Sequence, residues 1–266
     1  VGDKIDGGDG TDTLVMTTAL AQGATAATHT GVSNFEALQI SDAHTGGTIT
    51  VVNSQAGIST VTLANAVNSF SGGNGVITYA AGASTLNLVM PGAGGALTLN
   101  DTGTAITDSI TINNASGALA QDVFAGQPLT VNGIETVTFN ASVTGDVAQD
   151  FGAITMTSDV ATGAVDTINF AGGDRVTVQA VTADVINASG LTAAQTGTTF
   201  NMGANAVGVT TITGSAGADI LLGDAASTIN GGAGNDAITG GTGNDTLNGE
   251  AGNDIITTNT GVDIID

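Results

Sequence analysis

Apolar residues along this chain recur in short alternating runs rather than at helical spacing. Runs such as Ser59 to Leu63 and Thr85 to Met90 alternate aliphatic residues with Thr, Ser or Asn. An alternation of period two predicts half-buried β-strands. The same criterion predicts strands at Ile49 to Asn53, Ile110 to Asn113, Ile134 to Asn140, Asp166 to Phe170, Arg175 to Val181 and Asp184 to Asn187. Helix signals are nearly absent, so the pattern predicts an all-β fold.

The predicted strands are irregularly spaced, and several end in Asn, as in Thr111-Ile-Asn-Asn114 and Val185-Ile-Asn187. Because Asn tolerates left-handed turns, we expect these residues at repeated corners of stacked coils. Aromatic residues make up 3% of the chain and Trp is absent, whereas a β-sandwich of this size normally uses more large aromatic side chains. The sequence therefore favours a thin parallel β-solenoid of irregular stacked coils over residues 16–213.

A nine-residue repeat, Gly-Gly-x-Gly-x-Asp-x-U-x with U aliphatic, occupies residues 214–266. Its copies begin at Gly214, Gly231, Gly240, Gly249 and Thr258. A degenerate copy from Gly223 to Asn230 lacks the central glycine and the aspartate, and the last copy opens with Thr258 and Asn259 instead of two glycines. One further copy, Gly7 to Val15, predicts that residues 1–15 continue a preceding roll.

The aspartate at the sixth position of the repeat is the main candidate metal ligand. Two repeats would close one coil of a parallel β-roll, so that each repeat lies beside the next but one at about 4.8 Å. The aspartates then form two rows, Asp219, Asp236 and Asp254 in one and Asp245 and Asp263 in the other. Carboxylates about 5 Å apart repel by roughly 3 kcal/mol at an effective dielectric of about 20. Divalent cations between the coils would reverse this repulsion.

Carboxylate and carbonyl oxygens are the ligands that Ca²⁺ prefers, in sets of about six to eight. We therefore predict several calcium ions in the roll and a roll that orders only when they bind. The N-terminal copy adds Asp9 and Asp12 as candidate ligands.

The net charge of the chain limits the classes of partner that it can bind. Lys4 and Arg175 are the only Lys or Arg residues against 24 acidic residues, which gives a formal charge of −22. Nucleic acid and anionic membranes are poor partners for such a surface. The absence of Cys excludes a disulfide framework and a cysteine nucleophile, and no apolar run is long enough for a transmembrane helix.

The repeats resemble the RTX nonapeptides of proteins exported by bacterial type I secretion. The segments from Asn34 to Ile40, Asn132 to Phe139 and Val185 to Gly190 resemble calcium-dependent surface-layer proteins of Gram-negative bacteria. This resemblance implies a secreted, lattice-forming β-solenoid that is attached to cell-surface polysaccharide through regions outside this chain. It also implies calcium ligation by the sixth-position aspartates and by carbonyl groups of Gly231, Ala233, Gly240, Thr242, Gly249 and Ala251.

The leading hypothesis is a structural protein that assembles with copies of itself in a calcium-dependent manner. The alternatives are a module of a large RTX adhesin and the carrier domain of a type I secreted RTX enzyme. We do not expect the chain itself to be an enzyme, because no Gly-x-Ser-x-Gly motif is present and His29 and His44 are expected in exposed turns. Pairs of Thr at alternate positions also allow an ice-binding face, but outward Thr is ordinary on β-sheets.

Overall fold

The computed structural model of the chain describes residues 4–24, 31–42, 47–50, 57–64, 75–79, 82–88, 96–102, 107–116, 122, 126–141, 147–157, 164–192, 199–202, 208 and 210–266. These residues form β-strands almost throughout. The helix found among them, α1, is Thr18–Gln22. It begins after Thr17, whose hydroxyl accepts a hydrogen bond from the Leu20 amide and so caps the helix. Both histidines lie outside the described residues, so their predicted exposure stays a prediction.

The first twelve strands are β1 (Ile5–Asp6), β2 (Thr13–Met16), β3 (Val32–Ser33), β4 (Ala37–Ile40), β5 (Gly47–Thr50), β6 (Thr60–Leu63), β7 (Gly75–Tyr79), β8 (Ala83–Leu88), β9 (Leu97–Asp101), β10 (Ser109–Asn114), β11 (Leu129–Asn132) and β12 (Thr136–Asn140). The remaining twelve are β13 (Gln149–Thr157), β14 (Thr167–Gly172), β15 (Val176–Thr182), β16 (Val185–Leu191), β17 (Phe200–Met202), β18 (Thr211–Thr213), β19 (Asp219–Leu222), β20 (Thr228–Asn230), β21 (Ala237–Thr239), β22 (Thr246–Asn248), β23 (Ile255–Thr257) and β24 (Ile264–Ile265).

Two long parallel sheets organise these strands. The even-numbered strands form a twelve-stranded sheet in sequence order, and the odd-numbered strands from β5 to β23 form a ten-stranded sheet. β1 and β3 pair separately. Each coil thus contributes one strand to each sheet and lies on the coil before it, which confirms the predicted parallel β-solenoid. The same two sheets continue from the irregular coils into residues 214–266.

A single apolar core fills the space between the two sheets. Inward-facing aliphatic side chains supply most of it, with one aromatic cluster in the middle coils. Phe170 stacks on Phe139 with ring centroids 5.3 Å apart and lies 5.1 Å from Phe200, and the Phe151 ring is 5.4 Å from it at a steep angle. The interior of each coil is therefore a single layer of mostly aliphatic side chains, as the composition predicts.

The prediction that Asn residues lie at left-handed corners is wrong for the residues that motivated it. Asn113, Asn140 and Asn187 lie within strands, and in the described part of the chain the non-glycine residues with positive φ are Asn34 and Glu250. The amide of Asn113 donates to Asn87 Oδ1 at 2.9 Å and that of Asn140 to Asn113 Oδ1 at 3.4 Å. Parallel in-register pairing puts like residues side by side, so amide ladders form instead of turns.

The predicted strands otherwise correspond to observed ones, with boundaries that differ by one or two residues, except that β16 continues to Leu191, four residues beyond the predicted end at Asn187. Residues 51–53 and 89–90, which were predicted to be strand, lie outside the described residues. Within the repeats, β21, β22 and β23 each contain three residues, as the six-residue turn and three-residue strand of the pattern predict. The eighth-position residues Ile238 and Leu247 are fully buried.

Candidate metal centre

The first row of aspartates runs along one edge of the ten-stranded sheet. The Asp219 amide donates to Asp236 Oδ1, and the Asp236 amide donates to Asp254 Oδ1, both at 2.9 Å. Each carboxylate therefore accepts a hydrogen bond from the equivalent residue of the preceding coil. The spacing of 17 or 18 residues between partners is two repeats, which is the stacking expected from the sequence.

The second row lies at the edge of the twelve-stranded sheet and has the same geometry. The Asp245 amide donates to Asp263 Oδ1 at 3.0 Å, and the Ser227 amide donates to Asp245 Oδ1 at 2.8 Å. Ser227 takes the aspartate position in the degenerate repeat. The row thus continues through that repeat without a carboxylate.

The second oxygens of two aspartates are left without partners. Asp236 and Asp245 are each 1% exposed, and neither Asp236 Oδ2 nor Asp245 Oδ2 has a hydrogen-bond partner among the described residues. Buried polar atoms are nearly always paired, because an unpaired one loses its hydration without compensation. An ionised carboxylate oxygen only accepts, so a cation or a proton must complete each position.

In the repeats of Asp236 and Asp245, glycine at the first position makes room for this oxygen. A methyl group added at Gly240 would lie 2.5 Å from Asp245 Oδ2, and one at Gly231 would lie 2.5 Å from Asp236 Oδ2 and 2.8 Å from the Gly249 carbonyl oxygen. A carboxylate and a main-chain carbonyl from successive coils therefore converge on one point. Two acceptors that face a shared space are a cation-binding arrangement.

The other carbonyl groups predicted as ligands lie on the same turns. The Gly231 and Gly240 carbonyl oxygens approach the first glycines of the preceding coils, in the manner of Gly249. Ala233 pairs with Ala251 and Thr242 with Thr260 as isolated parallel bridges, and the Ala251 carbonyl also accepts the Gly234 amide at 2.8 Å. The predicted ligands thus stack coil by coil, with Ala251 O already serving one hydrogen bond.

These donors suit calcium better than a transition metal. No group of three or more Asp, Glu, His or Cys side chains gathers within the described part of the chain, so carbonyl groups and water must supply most of the ligands. Calcium accepts such sets of about six to eight oxygens with flexible geometry. The residues present therefore fit Ca²⁺, with Asp236 and Asp245 as the central carboxylates.

Asp219 differs from the other members of its row. Its Oδ2 accepts the Ser215 amide at 2.5 Å, and its Oδ1 accepts the Ser215 hydroxyl at 2.7 Å and the Phe200 amide at 2.9 Å. Burial raises the pKa of this carboxyl to about 6, although the hydrogen bonds from Ser215 and Phe200 oppose the shift. Protein donors therefore bind both oxygens of Asp219, in contrast to Asp236 and Asp245, and its calcium ligation stays a prediction.

Burial also raises the pKa of Asp236, and the neighbouring carboxylates of Asp254 and Glu250 raise it further against the hydrogen bond from the Asp219 amide. Negative charge is therefore concentrated where the unpaired oxygen lies. Glu250 stands where the repeat has its second glycine and adopts φ 63°. The sequence pattern alone did not single out this residue as part of the site.

The N-terminal repeat reproduces part of the arrangement. The Asp12 amide donates to Glu36 Oε2 at 2.9 Å, and Asp12 Oδ2 is buried without a hydrogen-bond partner among the residues that the structure describes. Asp9 is exposed in a bend, and its role as a ligand stays a prediction. Glu36 was missed as a site residue, although the similarity between Phe-Glu-Ala-Leu around it and Ile-Glu-Thr-Val around Glu135 indicated a shared role.

Residues 211–227 and 230–265 match the family model of the RTX calcium-binding nonapeptide repeat, in four copies. The C-terminal coils are RTX repeats. The match covers the two aspartate rows, and RTX repeats of this kind bind Ca²⁺ and are typical of proteins exported by type I secretion. No curated protein and no solved structure is detectably similar to the chain.

One further finding concerns membranes. None of the helices in the described ranges is long and apolar enough to cross a bilayer.

Proposed function

We propose that this chain is a non-catalytic, calcium-loaded solenoid of an extracellular surface layer or filament, and that it assembles with copies of itself. The observation that carries the proposal is the pair of unpaired buried oxygens, Asp236 Oδ2 and Asp245 Oδ2, inside RTX repeats. Calcium at these positions locks successive coils together. A locked stack of coils is a stiff unit suited to a structural role.

Electrostatics make assembly dependent on divalent cations. The chain carries a formal charge of −22 with two Lys or Arg residues, so two copies repel one another at low ionic strength. Bound calcium lowers this charge within the rolls and can bridge carboxylates of neighbouring copies. Self-assembly is therefore expected only when calcium is present.

The last coil of this sequence has exposed apolar side chains that further chain or a neighbouring copy can cover. β23 and β24 are edge strands of the two sheets, and Ile255, Ile264 and Ile265 are more than half exposed. Unpaired strand edges readily accept another strand. A coil stacked here, from a neighbouring copy or from further chain, would cover these side chains and continue the aspartate rows past Asp254 and Asp263.

Electron microscopy of the purified chain tests the proposal. We expect ordered sheets or filaments in calcium, none in excess chelator, and recovery when calcium is restored. Magnesium at the same concentration controls for simple charge screening, and Asp245→Asn should raise the calcium concentration that assembly requires. Identical assembly in chelator would refute the proposal, while dispersed rods that bind glycans would favour the adhesin.

A further inference from the structure

A row of acidic residues extends along the twelve-stranded sheet far beyond the RTX repeats. In this sheet, the residue just before most strands is Asp or Glu. The acids at this position are Asp12, Glu36, Asp108, Glu135, Asp166, Asp184, Asp245 and Asp263. The irregular coils thus keep the position that carries the RTX aspartate of the second row, although they lack the nonapeptide pattern around it.

The hydrogen bonds of this position are also the same in both regions. The Asp108 amide donates to Glu135 Oε2 at 2.9 Å, as the Asp245 amide donates to Asp263 Oδ1 at 3.0 Å. The Gly82 amide donates to Asp108 Oδ1 at 2.6 Å. One oxygen of each acid therefore accepts an amide of the preceding coil, and the other oxygen is left for a second partner.

Asp108 and Glu135 are the most deeply buried members of this row outside the repeats. They are 2% and 3% exposed, and neither Asp108 Oδ2 nor Glu135 Oε1 has a hydrogen-bond partner within the described ranges. Each of these buried carboxylates has an oxygen that can only accept, as Asp236 and Asp245 have, and the two lie on adjacent coils of one sheet.

The two Lys and Arg residues of the chain do not lie in this row. Lys4 precedes the separate pair β1 and β3, and Arg175 precedes β15 in the opposite sheet. With Lys4 and Arg175 in other parts of the fold, a cation from solution, or a proton, can balance the charge of Asp108 and Glu135. Oxygen ligands alone favour a hard divalent cation.

We propose that Asp108 and Glu135 form a calcium site outside the RTX repeats, between the coils of β10 and β12. Asp108 Oδ2 and Glu135 Oε1 are its carboxylate ligands, and main-chain carbonyls and water complete the coordination. Calcium at this site joins the coils of β10 and β12, as calcium in the roll joins successive coils of the repeats. It does not depend on self-assembly, so either proposal can fail without the other.

Calcium counting by equilibrium dialysis on the full chain tests this site. The double variant Asp108→Asn/Glu135→Gln keeps oxygens for the Gly82 and Asp108 amides but removes both charges, and it should bind about one calcium ion fewer per chain. Asp150→Asn, which neutralises an exposed acid on β13, is the matched control and should leave the count unchanged. An unchanged count in a folded double variant overturns the proposal, including the case in which a shared proton neutralises the pair.

A second measurement tests the site if the variant Asp108→Asn/Glu135→Gln fails to fold. In Asp236→Asn/Asp245→Asn, which disables the main roll sites, added calcium should still slow hydrogen exchange of the Gly82 and Asp108 amides. At about ten times the dissociation constant the slowing should be roughly tenfold. Exchange at these two amides that is insensitive to calcium would overturn the proposal.

Discussion

The substitution Asp245→Asn removes one charge from the centre of the second aspartate row while keeping its shape. Asn Oδ1 can still accept the Ser227 amide, which lies 2.8 Å from Asp245 Oδ1, and the main-chain amide still donates to Asp263. The backbone scaffold of the row is therefore retained. What changes is the oxygen that faces Gly240, because Oδ2 becomes an amide nitrogen that cannot bind calcium.

The expected effect depends on calcium and has opposite signs in the two conditions. Without calcium, Asp245 and Asp263 lie on adjacent coils about 5 Å apart and repel by roughly 3 kcal/mol at an effective dielectric of about 20, so Asn should leave the roll at least as stable. With calcium at about 100 times its dissociation constant, each site adds about 2.7 kcal/mol to the free energy of unfolding. Asn should lose about that amount.

Urea unfolding of the full chain, followed by circular dichroism at increasing calcium, measures this difference. The control is Asp224→Asn, which removes the same charge from a neighbouring turn, where the Asp224 carbonyl accepts the Thr242 amide. We expect the control to keep the calcium increment of the unmodified chain. If Asp245→Asn gained as much stability from calcium as the unmodified chain, or lost the same amount with and without it, the carboxylate would be a packing element rather than a ligand.

Three other predictions concern Gly240, Asp219 and Phe170. Gly240→Ala places a methyl group 2.5 Å from Asp245 Oδ2. It should lower the free energy of unfolding by about 1–3 kcal/mol and weaken calcium binding in titrations. Gly173→Ala, whose methyl group would make only an ordinary contact at 3.7 Å, is the control and should change neither quantity. In chelator, burial raises the pKa of Asp219 from its ordinary value of 3.8 to about 6, so its contribution to stability is present below about pH 4 and is lost as pH rises through about 6. Unfolding midpoints measured across this range should fall, and Asp219→Asn should remove that component. Phe170→Ala should cost about 3–5 kcal/mol in thermal or urea unfolding, because it empties the centre of the aromatic cluster, and a cost below about 1 kcal/mol would contradict the packing described.

Much of the fold could be predicted from local patterns. Alternating runs predicted eight of the sixteen strands from β3 to β18, because each of these strands buries one face against a single core. The others, among them the nine-residue β13, were not predicted. The nonapeptide gave the three-residue strands and the stacking of Asp236 under Asp254, since its period fixes two repeats per coil. The corner role assigned to Asn was wrong, because a preference for turns is local whereas the amide ladder through Asn87, Asn113 and Asn140 exists only between coils.

The site itself was predicted only in part. Asp236 and Asp245 could be named from the repeat, but Asp219 looks equivalent in sequence and is set apart by Ser215, whose amide and hydroxyl use its oxygens. The acids Glu36, Asp108 and Glu135 could not be aligned with the repeat aspartates by sequence, because the coils between them vary in length. Pairing of β10 with β12 brings the last two together.

By itself, the sequence determined the composition of the layers, the strand pattern, the acidic charge and the chemistry of the RTX turns, all of which depend on residues close together in the chain. The tertiary structure decided which carboxylates face one another, which oxygens protein donors satisfy and which remain buried without a partner. These properties depend on register between coils, and a contact between residues about two dozen positions apart leaves no local trace in the sequence. The row of acidic residues that begins in the repeats could therefore be traced across the irregular coils only once the strands were stacked.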